Sequence, residues 1–318
     1  MRRRSGVTLI EVLVSIFVTA IGLLALLALF PVGAFSMAQA LKNGRCVQAS
    51  QNAMAVYDAQ NLGQDSVVTG LVYVDPIGTS TSSSVGSISF SVPLPPLSYT
   101  SPGISRVSPS FVTGAPSPPG PLQAALRWLT LPDDITFSLD GTPSEPDKAL
   151  PLFLGTVQRE DRYSWTYMLQ PLTTGPIRLV DRTVVVYSGR SSAVVGENTF
   201  NYIKFDVSAK NSLTIGWDPT KGQSKPEIKN GSWILDATVV VPYVISGPPP
   251  TIGTASEPHG YFYRVVGVTQ VPGANQLLLE VQPNIRASSF TFLNGTEYDY
   301  GVVVVMDNLA EVFAKGPG

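Results

Sequence analysis

The sequence predicts an α+β protein: a long N-terminal hydrophobic helix, then a globular body rich in antiparallel β-sheet. Three observations point there. An uncharged apolar run extends from Val12 to Phe35, longer than the roughly 20 residues a helix needs to cross a bilayer. Ser36 to Leu62 continues without proline, with Ala40, Val47 and Met54 seven apart and Met37, Leu41 and Tyr57 on neighbouring helical positions. Beyond Ala125 the chain is dense in β-branched and aromatic runs separated by Gly, Pro, Asn or Asp, and nothing between Leu62 and Asn308 reads as a long helix.

The helix should run from Val7 to about Gln60, roughly 80 Å at 1.5 Å per residue. Pro31 and Gly33 fall inside it. Proline removes a backbone donor and crowds the preceding turn, so a kink or local melt is expected over Leu27 to Phe35. Arg2, Arg3 and Arg4 precede the span, and Lys42 and Arg45 follow it. That bias predicts a single pass with the N-terminus cytoplasmic and the body periplasmic or extracellular.

Residues 63–124 are rich in Ser, Pro, Thr and Gly and read as long surface loops, interrupted by strands over Val67–Val74 and Ile88–Val92. A β-rich body follows over 125–224, with candidate strands at Ala125–Leu129, Arg162–Leu169, Arg178–Tyr187 and Tyr202–Val207. Arg162–Leu169 alternates as a half-buried strand should, with Arg178–Tyr187 as its hairpin partner. Residues 225–318 carry further strands at Ser232–Val241, Tyr261–Val268, Gln276–Val281 and Val302–Met306. Their spacing, with a buried-type Trp233, suits a small, highly curved, barrel-like lobe better than continuation of one sheet.

The N-terminus itself carries the functional signal. An ordinary secretory signal has an apolar core of roughly 7–15 residues and a small-residue cleavage site after it. Here the run is longer and the small residue, Gly6, precedes it. Glu11 places a carboxylate at the mouth of an otherwise uncharged span, which is costly unless it is paired.

Gly6 followed by Val7-Thr8-Leu9-Ile10-Glu11 resembles the cleavage and methylation site of type IV pilins and type II secretion pseudopilins. The continuation to Leu26 is similar to minor pilins of the PilV type. The resemblance implies cleavage after Gly6 by a membrane prepilin peptidase, leaving residues 1–6 as leader and 7–62 as the pilin-like helix. It implies N-methylation of Val7, and subunit assembly through Glu11, whose carboxylate meets the freed amino group of a neighbouring Val7. The implied partners are the prepilin peptidase, other pilin or pseudopilin subunits and an inner-membrane assembly platform. Val7 departs from the more usual Phe or Met, and 318 residues is large for the family. The alternative is a membrane-anchored binding or display protein that uses the leader only for export.

Catalysis has little to work with. The single histidine, His259, has no partner set for a nucleophilic triad or a zinc site, and no Gly-rich phosphate loop is present. No cofactor, no metal and no catalytic residue is expected, and the chain is not expected to be an enzyme. Asp133-Asp134 with Asp140, and Glu160-Asp161, lack diagnostic calcium spacing. A net charge of −2 and a pI near 5.5 give no basic footprint for nucleic acid. Cys46 stands alone and reads as a packed thiol.

Overall fold

The computed structural model describes residues 9–81, 91–94, 97–100, 104–114, 120–131, 135–137, 149–153, 155–159, 163–173, 175, 177–190, 197–205, 211–237, 243–244, 251–252, 260–285, 289–291, 297–299 and 302–318. Contacts divide the chain into two compact units, Met1–Gln48 and Ala49–Gly318. One helix, α1 (Leu9–Ala59), contributes to both.

The first unit is helical in its described residues. The helix continues through Pro31 and Gly33, so the local melt predicted near Leu27 to Phe35 is corrected. Only one donor is lost at a proline, and the helical runs on either side carry the segment past it.

The second unit begins with the last turns of α1, where Ala49, Ser50, Ala53 and Tyr57 are buried. A five-stranded sheet packs there. Its strands are β1 (Val72–Val74), β2 (Ser105–Val107), β3 (Tyr163–Pro171), β4 (Val180–Ser188) and, from the far end of the chain, β11 (Leu309–Pro317). The order is β11-β4-β3-β1-β2. β3 and β4 form the expected hairpin, with Trp165 opposite Val186. Only β1 with β2 is parallel.

A second layer is built from β5 (Glu197–Phe205), β6 (Ser212–Gly216), β7 (Trp233–Asp236), β8 (Tyr261–Gln270), β9 (Gln276–Gln282) and β10 (Val302–Met306). They pair in the order β5-β6-β9-β8-β7-β10, and β10 returns to β5, closing a six-stranded barrel. The barrel thus draws two strands from ahead of Lys225, while β11, the last strand, leaves it for the sheet.

The period of two along each strand explains how the layers join. Ile234, Tyr263 and Val303 point into the barrel with Leu213, Ile215, Leu277 and Leu279. Their neighbours Leu235, Val304 and Met306 point outward and share a second core with Tyr73, Met168, Val185 and Tyr187 of the sheet. The opposite face of the sheet meets the helix: the Tyr167 hydroxyl donates to the Ala53 carbonyl at 2.7 Å, and Trp165 Nε1 donates to that hydroxyl at 3.1 Å. β3 is therefore buried on both faces from Tyr163 to Leu169, not half-buried as its alternation suggested. Its polar alternate residues sit inside because they are paired; Thr166 donates to the Tyr73 hydroxyl at 2.7 Å.

Three further expectations are corrected. Ala125–Leu129 belongs to a helix, α3 (Gly120–Leu129), following the shorter α2 (Pro76–Thr81). The strand expected over Val67–Val74 is only β1. The segment expected to be surface loop buries Leu71, Ile77, Ile104 and Val112. It is held by Asp65, whose carboxylate accepts from the Ser110 amide and hydroxyl at 2.9 and 2.7 Å. Trp233 is half-buried. Residues 82–90, 95–96 and 116–119 lie outside the described residues, as do the acidic clusters at 133–134, 140 and 160–161, and His259.

A fragment lacking residues 1–35 keeps every strand of both layers. It is expected to be soluble and folded, with a far-ultraviolet circular dichroism spectrum dominated by β-structure; a helix-dominated spectrum contradicts this arrangement.

Candidate functional site

The helix N-terminus is where sequence and structure meet. Gly6 and Val7 lie outside the described residues. Glu11 occupies the first turn of α1 and is exposed. An acid there faces the unpaired amide groups at the positive end of the helix dipole, a favourable placement. The next charged residue along the chain is Lys42.

The span is long and apolar enough to cross a membrane, and its most apolar window buries none of its residues within the chain. Leu13, Phe17, Leu24, Leu27 and Phe30 all stand open. The few polar side chains in it turn back on the helix: the Ser15 hydroxyl donates to the Val12 carbonyl at 2.8 Å, and the Thr19 hydroxyl to the Ser15 carbonyl at 2.7 Å. Hydroxyls satisfied within their own helix remove the main cost of placing them in hydrocarbon. Among the described residues Glu11 makes no such bond, and a carboxylate without a partner is costly in hydrocarbon.

A family model for the prokaryotic N-terminal methylation motif matches residues 1–27. This chain carries a prepilin-type N-terminus. The match spans the basic leader, Gly6, Val7, Glu11 and the first two thirds of the apolar run, and it ends before the body begins. A prepilin-type N-terminus implies processing by prepilin peptidase and assembly with pilin-type subunits in general, and the apolar helix fits a single-pass membrane anchor. Neither the comparison with curated proteins nor that with solved structures gave a match.

The prepilin-type chain also holds a charged cluster in its body that the sequence did not announce. Asp75, wholly buried at the end of β1, receives both guanidinium nitrogens of Arg190 at 2.8 and 2.6 Å. Arg106 Nε lies 3.5 Å from the same carboxylate, and the Gly78 amide donates to it at 3.1 Å, capping α2. Arg190 stacks over Tyr187 at 4.5 Å and Arg106 over Tyr73 at 5.6 Å. The two tyrosine hydroxyls are hydrogen-bonded to each other, and Tyr187 donates to the Met306 sulfur at 3.1 Å.

Burial pushes the Asp75 carboxyl up, but Arg190, by charge and hydrogen bonds, and then Arg106 pull it further down, so it sits below the ordinary aspartate range. Tyr73 is pushed well above the usual tyrosine value, chiefly by burial and then by Tyr187. The cluster ties β1, β2, the end of β4 and the barrel strand β10 into one block. Its partners are 31 and 84 or more residues apart in sequence and share no motif, so no local pattern could have revealed them. Among the described residues no group of three metal-capable side chains converges.

Proposed function

We propose that this chain is a minor pilin or pseudopilin subunit, exported as a prepilin and assembled into a type IV pilus or a type II secretion pseudopilus. The observation that carries the reading is Glu11, a carboxylate at the mouth of an apolar span with no other charge before Lys42, five residues past the prepilin-type Gly6. Cleavage after Gly6 frees the amino group of Val7, which becomes the cation that Glu11 requires. In a low-dielectric bundle of parallel helices, a charge that is costly unless correctly paired sets register between subunits. The PilV-like continuation of the leader favours a low-copy component, as does a body too bulky for close packing. The body faces the periplasm or the exterior and acts by display or partner contact, without turnover of a substrate.

Processing is the direct test. N-terminal mass analysis from a host containing prepilin peptidase should give Val7 as the first residue, N-methylated. Gly6→Leu should leave an uncleaved, membrane-retained precursor. Cleavage after the apolar span, or an intact Met1 in such a host, removes the proposal.

A further inference from the structure

The body carries a polar cleft whose charged groups the rest of the fold does not use. One wall is the segment 223–229, which belongs to no strand. Pro226 and Ile228 are buried, Ile228 within the barrel core, while Lys225, Glu227 and Lys229 are exposed. That alternation is the period of an extended chain. Both ends of the segment are fixed. Gln223 and Asp218 exchange hydrogen bonds at 3.2 and 3.0 Å, and the Lys229 amide donates to the Ser232 hydroxyl at 3.1 Å.

The opposite wall is the turn Asp307-Asn308, which carries the chain from β10 to β11. Asn308 adopts φ 61°, a left-handed conformation that asparagine tolerates. Its carbonyl accepts from the Ser188 amide at 2.9 Å, and its side-chain amide donates to the Gly189 carbonyl at 3.2 Å. The turn is thereby locked to the end of β4. Between the walls lies a cleft of about 620 Å³, completed by Phe200 of β5 and Val305 of β10. Small-ligand sites occupy roughly 300–1,000 Å³, so the space is sufficient, and both walls are held in place before any ligand arrives.

Two carboxylates, Glu227 and Asp307, and two ammonium groups, Lys225 and Lys229, share this lining. The Lys225 ammonium donates to Gln270 Oε1 at 2.7 Å. Among the described residues, Glu227, Lys229 and Asp307 form no ion pair. Opposite charges around one cleft have not neutralised each other. An anionic ligand would meet both carboxylates, and a cationic one both ammonium groups. An apolar ligand would find little apolar wall. A hydroxyl both donates and accepts, so it serves either sign without bringing a charge of its own. Its bonds to ionised partners are also the stronger kind.

We propose that this cleft binds a neutral glycan unit, with neighbouring hydroxyls donating to Glu227 and Asp307 and accepting from Lys229. The site goes beyond the subunit reading and makes no use of the leader. It serves a chain assembled in a filament and an anchored display module alike.

The test is a glycan array probed with the full chain in a detergent without a sugar headgroup. The array carries neutral oligosaccharides of hexoses and N-acetylhexosamines beside sulfated and sialylated ones. Wild type should bind at least one neutral glycan, and added salt should not abolish the signal. Asp307→Asn, Glu227→Gln and Lys229→Gln should each weaken that binding by roughly tenfold. Glu280→Gln, on β9 and outside the cleft, should not. The three cleft side chains are exposed, so thermal unfolding of the variants should match wild type. Absence of binding to every neutral glycan overturns the proposal. So does binding confined to sulfated or sialylated glycans, or neutral binding that survives all three cleft substitutions. N-terminal mass is read on the same samples. Glycan binding by a chain left unprocessed by prepilin peptidase removes the subunit reading alone, and a Val7 terminus without glycan binding removes this inference alone.

Discussion

Asp75→Ala should lower the stability of the body by about 3–5 kcal/mol, because it leaves the Arg190 and Arg106 guanidinium groups buried without their shared carboxylate. For a unit of this size, that corresponds to a fall in Tm of roughly 10 °C. The effect also has a pH signature. The folded-state pKa of Asp75 is depressed, so the stability it contributes is complete above the ordinary aspartate value and is lost as pH falls through the lowered one. The gap between wild type and Asp75→Ala should therefore be constant near neutrality and narrow below about pH 4. Thermal unfolding of the fragment lacking residues 1–35 across that range measures both. A gap that persists unchanged into strong acid would falsify the charge-based account.

Glu11→Ala should leave processing intact while reducing the assembled fraction by on the order of tenfold or more, as expected when one partner of a desolvated ion pair is removed. The readout is the ratio of cleaved chain in sheared filaments or partner-bound complexes to cleaved chain in the membrane. Substitution by alanine does not touch Gly6, so cleavage and assembly separate. Full assembly by the cleaved Glu11→Ala protein favours the anchored display module over the filament subunit.

The leader and helix were legible because each rests on local pattern: Gly6, Glu11 and an unbroken apolar run say what they are within a few dozen residues. Strand content was legible for the same reason, and the β3–β4 hairpin emerged from an alternating, aromatic-rich run followed by a β-branched one. What was hidden is the division of strands between layers. Leu235 and Ile234 are both aliphatic, and only the folded chain distinguishes the one that faces the sheet from the one inside the barrel. α3 was misread although Leu122, Ala125, Leu126 and Leu129 stand at helical spacing, because an apolar run as short as Ala125–Leu129 does not by itself separate strand from helix. A kink or local melt was expected at Pro31, and the helix runs through it because proline removes one backbone donor and leaves the flanking hydrogen bonds in place. Glu11 stood out in the sequence as a candidate because its pattern is local; the Asp75 cluster, assembled from distant strands, did not.

The placement of β11 has a consequence for timing. It pairs along nearly the whole of β4, with Leu309 opposite Tyr187 and Pro317 opposite Asp181. Under the proposed export, with the helix leading, β4 reaches the far side of the membrane long before β11 arrives. During that interval the Val184-Val185-Val186 edge has no strand beside it, and a bare, β-branched edge is a template for wrong partners. Contacts across so many residues also close slowly. On that route the sheet stays incomplete until β11 has followed β4 across, and its exposed edge sets the period in which the body is most open to misfolding.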